Sequence, residues 1–198
     1  MKRLHQGDYT VTQWSGGKTT QIAIAPEGAI YSNRDFLWRV SSATVDLDES
    51  DFTALPDYHR WISTLQGDMV LSHNGKEKIT LYPYDVHEFE GSDQTHSWGK
   101  CKDFNLMLQK EKAVGKIWPV FLPCGEQYEI NVQAKPHSTI LLFCAEGTAT
   151  IAVYRCTINI EKGEAVLAEE KCGDGCVICS NTTHESITIM VAEITEIK

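Results

Sequence analysis

The sequence predicts an all-β protein, two small barrels packed as one compact unit. Two observations predict it. Apolar and polar residues trade places at a period of two through most of the chain, and the two halves repeat one order of strands and turns. The composition agrees: of 198 residues 42% are apolar and 23% charged, which excludes disordered, collagen-like and coiled-coil chains.

Taken in order, Ser15-Gly16-Gly17 is a glycine turn, and residues 19–25 alternate as a strand up to Pro26. Residues 38–41 place Trp38 and Val40 on one face and Arg39 and Ser41 on the other. Residues 59–65, 69–73 and 78–82 are further strands. Between the last two, Asn74-Gly75 is a hairpin turn, because both central residues of such a turn need positive φ. Residues 103–108 oppose Phe104, Leu106 and Leu108 to Asp103, Asn105 and Met107. In the second half, residues 129–133, 139–145 and 148–154 alternate, as do Ile187, Ile189 and Val191, with turns at Gly125, Gly163 and Gly173-Asp174-Gly175. Residues 161–171 alone have a helix-like composition, with Gly163 near their start.

The halves echo each other in detail. Gly67 opens a strand, and a hairpin later Tyr82-Pro83-Tyr84-Asp85 makes a tight turn with an acid. Gly147 opens another strand, and Glu161-Lys162-Gly163-Glu164 repeats the turn. That pattern looks like the core of a cupin barrel, a jelly-roll of two sheets, and two copies make a bicupin. The division expected is an N-terminal barrel over residues 1–110 and a C-terminal barrel over 111–198, with strands at the termini free to exchange between them.

Acidic residues outnumber basic ones by 27 to 18, a formal charge of −9, so neither nucleic acid nor an anionic membrane is expected as a partner. No apolar run approaches the roughly 20 residues a bilayer demands. The basic start, Met1-Lys2-Arg3, has no apolar stretch behind it, so a cytoplasmic address with free thiols is expected for the seven Cys.

Three segments resemble the HutD/Ves family of bacterial proteins: Trp14-Ser15-Gly16-Gly17-Lys18-Thr19-Thr20-Gln21-Ile22; Phe36-Leu37-Trp38-Arg39-Val40-Ser41-Ser42-Ala43 with the later Phe52-Thr53-Ala54-Leu55-Pro56-Asp57-Tyr58-His59-Arg60; and Phe89-Glu90-Gly91 with Asp103-Phe104-Asn105-Leu106-Met107. The resemblance spans roughly residues 10 to 110 in the family's order. It implies a bicupin fold and, for some members, an association with histidine utilisation; it implies no general catalytic activity.

Chemistry-bearing motifs are few. Metal-binding cupins place two His one residue apart, and no His-x-His occurs here. His73 and His87 are the residual metal candidates, with Asp85 or Glu88 as the carboxylate of a divergent metal-dependent enzyme. The spacing Cys172-x3-Cys176-x2-Cys179 is that of a cluster ligand set, but it lies by an apparent strand in a chain without the α/β barrel such enzymes use. Gly17-Lys18-Thr19 lacks the earlier Gly of a phosphate loop, Thr12 standing in its place, and lacks the following helix. No Gly-x-Ser-x-Gly elbow occurs, and Cys101 near His96 and Asp103 is adjacency in sequence only. No catalytic residue and no cofactor is assigned.

What remains is a polar set within the family-like segments: Trp14, Thr19, Arg39, Ser41, Arg60, Asp103 and Asn105. An arginine fork grips a carboxylate by parallel hydrogen bonds, and a Trp covers a flat or apolar part of a ligand. The expectation is a bicupin binding a small carboxylate metabolite in its N-terminal barrel, as a sensor or accessory protein. The alternatives are the metal enzyme, and an interaction module without small ligand that dimerises through a sheet edge.

Overall fold

The computed structural model describes residues 1–132, 137–153, 155–169 and 175–197. The chain divides into two units, residues 9–114 and residues 1–8 with 115–198. Strand β1 (Lys2–Leu4) belongs to the second of these.

The first unit holds β2 (Thr10–Trp14), β3 (Gly17–Ala25), β4 (Trp38–Val45), β5 (Glu49–Asp51), β6 (Tyr58–Gln66), β7 (Met69–His73), β8 (Ile79–Leu81), β9 (Val86–Glu90), β10 (Thr95–Trp98) and β11 (Cys101–Gln109). They form a six-stranded sheet in the order β2-β3-β4-β11-β6-β9 and a four-stranded sheet in the order β5-β10-β7-β8. Neighbours are antiparallel throughout these ladders. The hairpin between β7 and β8 turns at Asn74 (φ 55°) and Gly75 (φ 68°), the paired left-handed conformation its sequence demands.

After β12 (Ala113–Leu122), the second unit continues with β13 (Gln127–Val132), β14 (Ser138–Glu146), β15 (Thr148–Val153), β16 (Cys156–Glu161), β17 (Ala165–Glu169), β18 (Gly175–Ser180) and β19 (Ile187–Glu196). Its sheets run β1-β17-β14-β19-β12 and β13-β18-β15-β16. Strand for strand, β12-β19-β14-β17 repeats β4-β11-β6-β9, and β13-β18-β15-β16 repeats β5-β10-β7-β8. Each unit is one cupin jelly roll. The first adds the β2–β3 hairpin at one edge of its larger sheet, and the second adds β1 at the opposite edge.

The repeated turn has the same construction twice. The Asp85 carboxylate accepts the Tyr82 backbone N–H at 2.9 Å, and the Glu164 carboxylate accepts that of Glu161 at 2.9 Å. Residues 161–171, helix-like in composition, are therefore not helical over their described part: Glu161 ends β16 and β17 follows the turn. Ala165, Val166 and Ala168 are buried in the ladder to β14, and that pairing overrides a weak local propensity. Among the described residues the only helices are two single 3₁₀ turns, Gln6–Asp8 and Tyr31–Asn33, and none is long and apolar enough to cross a membrane.

The interiors differ. In the second unit, Ile140, Leu142, Cys144, Ile151, Ile189 and Val191 belong to one continuous apolar cluster. In the first, one apolar cluster gathers around Ile62, Leu71 and Phe89 and another joins Phe36, Leu55, Tyr58 and Met107. Phe36 is fully buried, stacks on Tyr58 with ring centroids 4.3 Å apart, and accepts the Tyr58 hydroxyl at its carbonyl oxygen. Truncation of Phe36 to Ala is expected to cost about 3–5 kcal/mol. Gly75→Ala meets only a positive φ, with no atom within 4 Å of the added carbon, and is expected to cost about 1 kcal/mol. Urea unfolding of both variants checks this, and a Phe36→Ala protein as stable as Gly75→Ala would contradict the assigned core.

Candidate functional site

Between the two clusters of the first unit lies a cavity of about 630 Å³. Its wall is the inner face of the six-stranded sheet. Strand alternation brings Thr10, Thr12 and Trp14 of β2, Thr19 and Gln21 of β3, Arg39, Ser41 and Ala43 of β4, Asp103, Asn105 and Met107 of β11, and Arg60 of β6 to one side. The register locks them together: Thr12 opposes Thr19, Gln21 opposes Ser41, Asn105 opposes Ser41, and Met107 opposes both Arg39 and Arg60. Ile30, Tyr31 and Ser32 close one side, and residues 50–53 close another. All seven residues singled out in the sequence thus border one cavity.

The double glycine is what lets the β2–β3 hairpin lie there. A β-carbon on Gly16 would overlap the Trp14 ring, and one on Gly17 (φ 146°) would overlap the Thr44 carbonyl oxygen of the neighbouring strand. Trp14 stays 37% exposed at the rim, while Arg39, Ser41, Arg60, Asp103 and Asn105 are all buried.

The two arginines are held differently. Arg39 donates from Nε to Gln21 Oε1 at 2.8 Å and from Nη1 to Ser41 Oγ at 3.2 Å, and its guanidinium lies 4.4 Å from the centroid of the Tyr31 ring. Arg60 has no such help. Its guanidinium lies against the rings of both Phe52 and Phe89, 5.0 and 4.9 Å from their centroids, and its Nε has no hydrogen-bond partner. Burial pushes Arg60 down to about 10, which leaves it cationic at neutral pH, and burial lowers Arg39 as well.

Asp103 is the internal counter-charge, but it is directed elsewhere. Its Oδ1 accepts the Ala43 N–H at 2.7 Å, and its backbone carbonyl oxygen accepts the Ser42 hydroxyl at 2.6 Å. Burial raises its carboxyl to about 6 against the pull of that hydrogen bond and of Arg60 and Arg39. The Asn105 Oδ1 is a second buried atom without a partner. An unpaired donor and an unpaired acceptor therefore border the same space, with aromatic walls beside them.

The other candidates fall away from this cavity. Among the described residues no group of three His, Cys, Asp or Glu could hold a metal ion. His73 and His87 do meet, Nε2 to Nε2 at 2.9 Å, too close to hold an ion between two head-on nitrogens, while Asp85 is spent on its turn and Glu88 approaches His59. Cys172 lies outside the described residues. Cys179 is fully buried in the second unit, with its thiol pushed up to about 12, and Cys176 is raised to about 11. Burial also raises Cys101 to about 12, and His96 pairs with Asp51 at 2.7 Å.

Sequence reasoning missed Gln21, Tyr31 and Phe52. Gln21 carries a signal, since it follows Thr19 at the strand period; Tyr31 and Phe52 lie outside regular strands, where no period applies.

The profile of the HutD family matches residues 6–184. Among solved structures, a conserved protein of unknown function from Pseudomonas aeruginosa PAO1 is 23% identical, with 98% of each chain covered and a TM-score of 0.83. HutD from Pseudomonas fluorescens SBW25, solved in a formate condition, is 21% identical over 100% of this chain and 99% of that one, with a TM-score of 0.77. A cupin 2 conserved barrel domain protein from Leptotrichia buccalis is 12% identical over 96% and 95%, with a TM-score of 0.58. None of the curated proteins matches the chain.

Asp103 gives the cavity a testable titration. Its folded value, about 6, lies above the ordinary 3.8, so the folded state holds the proton more tightly and stability falls as pH rises from about 4 through 6. Asp103→Asn removes that loss. The variant is expected to be more stable than the parent at pH 8 by on the order of 1–3 kcal/mol, with the gain vanishing below about pH 4. Urea unfolding across pH reads it; a gain that does not depend on pH would contradict the buried, proton-hungry carboxyl.

Proposed function

The chain belongs to the HutD family, and from that membership and the cavity of its first unit we propose that it binds a small carboxylate-bearing metabolite and serves as a sensor or accessory protein. One observation carries this reading. The Arg60 guanidinium is buried in a hollow barrel, and among the described residues it has neither an ion pair nor a hydrogen bond. A cation left without an acceptor in a low-dielectric cavity is the arrangement that favours an anion entering from outside.

The rest of the wall narrows the ligand. A carboxylate on Arg60 places the remainder of the molecule beside the Asn105 Oδ1, which needs an N–H or O–H donor, and against the rings of Tyr31 and Trp14. A cavity of about 630 Å³ suits a metabolite-sized molecule rather than a peptide or a nucleotide polymer. Some members of the family are associated with histidine utilisation, so urocanate and N-substituted glutamates, which combine a carboxylate with an N–H, are the first compounds to test. Formate is the minimal probe.

Calorimetric titration tests the reading. Binding is expected for at least one of these carboxylates, and Arg60→Ala is expected to remove about 1.5–3 kcal/mol of it, roughly a 10- to 150-fold loss in affinity. Arg60→Lys keeps the charge, loses the planar fork, and is expected to fall between the two. Absence of heat at millimolar concentrations of all of them, or unchanged binding by Arg60→Ala, would overturn the proposal.

A further inference from the structure

Beside Arg60, on the same face of the six-stranded sheet but outside the residues that line the cavity, the structure carries a second arrangement that ligand binding does not explain. His73 closes β7 in the four-stranded sheet, and His87 lies on β9, the edge strand of the six-stranded sheet. Their Nε2 atoms are 2.9 Å apart and their ring centroids 5.1 Å apart, with planes inclined by 22°. Both nitrogens therefore lie close to the line between the rings, the head-on geometry of an N–H···N hydrogen bond.

The neighbouring groups assign the proton. The Thr95 hydroxyl donates to the Asp93 carbonyl oxygen at 3.4 Å, leaving its oxygen to accept from His73 Nδ1 at 2.8 Å. With Nδ1 carrying a proton, neutral His73 offers the lone pair of Nε2, and His87 Nε2–H donates into it. One added proton settles on His87 Nδ1 without disturbing this bond. A second would have to enter His73 Nε2, setting two N–H groups and two charges against each other. Asp93 favours the charged form of His73, whereas Arg60 and Lys76 oppose it; Glu88 favours that of His87, and His73 opposes it. Burial lowers both rings, which confines double loading to acid conditions.

The bond matters because of what lies beside it. Phe89, two residues along β9 from His87, is flanked by the His73 ring at 4.9 Å and by the Arg60 guanidinium at 4.9 Å, and it opposes Arg60 across the β6–β9 ladder. Apart from its ladder to β6, β9 has no neighbouring strand in its sheet. We propose that His73 and His87 form a proton-operated clasp: with one proton between them they tie edge strand β9 to β7 and keep Phe89 under Arg60, and in acid, with both rings loaded, they part and free the guanidinium. The proposal is independent of which ligand, if any, the cavity takes.

Long-range ¹H–¹⁵N NMR of the imidazoles and hydrogen exchange at the Arg60 Nε–H test it on the ligand-free protein. At neutral pH, His73 is expected as its Nδ1–H tautomer and His87 as its Nε2–H tautomer, with titration shifts that move together. His87→Gln keeps a donor toward His73 but does not titrate. It is the reference at each pH, which cancels the titration of Asp103 and the intrinsic pH dependence of exchange. In acid, exchange at Arg60 is expected to be roughly tenfold faster in the parent than in His87→Gln, and to be faster in His87→Ala at every pH. Independent titration of the two rings, or equal exchange in the parent and His87→Gln throughout, would overturn the clasp. Because His87→Gln retains the hydrogen bond, the comparison stands even if His87→Ala fails to fold.

Discussion

A guanidinium placed inside a barrel without an acceptor of its own is the constraint from which the first unit is best understood. Burying Arg60 strips its hydration, and nothing among the described residues returns a hydrogen bond to its Nε. What offsets the cost is diffuse: the faces of Phe52 and Phe89, and the field of Asp103 nearby. Asp103 could in principle have closed on the arginines, but the Ala43 N–H holds one of its oxygens and the Ser42 hydroxyl holds its backbone carbonyl. The charge is therefore left facing the cavity. Arg39, tied by Gln21 and Ser41, supplies positive potential more than an open fork.

The second unit shows how much of this is choice and how much is fold. With Gly67 matched to Gly147, Arg60 corresponds to Ile140, and the ladders then match Asn105 with Val191 and Asp103 with Ile189. Those three aliphatic side chains lie in the continuous core of the second unit. One topology thus carries two interiors. Where the inward positions are aliphatic the barrel fills itself, and where they are polar, with the β2–β3 hairpin widening the sheet, a hollow remains. The second unit instead spends its acidic turn on closure: Glu164, lowered to about 2, grips Arg3 and His5 beside β1.

Much of the architecture was legible because β-structure writes its faces at a fixed period. The alternation through residues 38–41 and 103–108 was enough to put Arg39, Ser41, Asp103 and Asn105 on one side, and Asn74-Gly75 specified its own turn. Residues 161–171 misled because Glu, Lys and Ala favour helices locally while the ladder from Ala165 to β14 is a long-range fact. The contributions of Tyr31 and Phe52, and the meeting of His73 with His87, depend on where loops and separate sheets bring distant residues, and no spacing along the chain encodes that. Composition could state that the protein is acidic, but not that its hollow is lined by two buried cations.

The most direct test of the account is crystallographic: difference density in the first-unit cavity of crystals soaked in acetate, compared with crystals in chloride of equal ionic strength. The account predicts a carboxylate with an oxygen within hydrogen-bonding reach of the Arg60 guanidinium, lost in Arg60→Ala crystals treated alike. A cavity holding only ordered water in both soaks, with Arg60 turned onto Asp103, would contradict it.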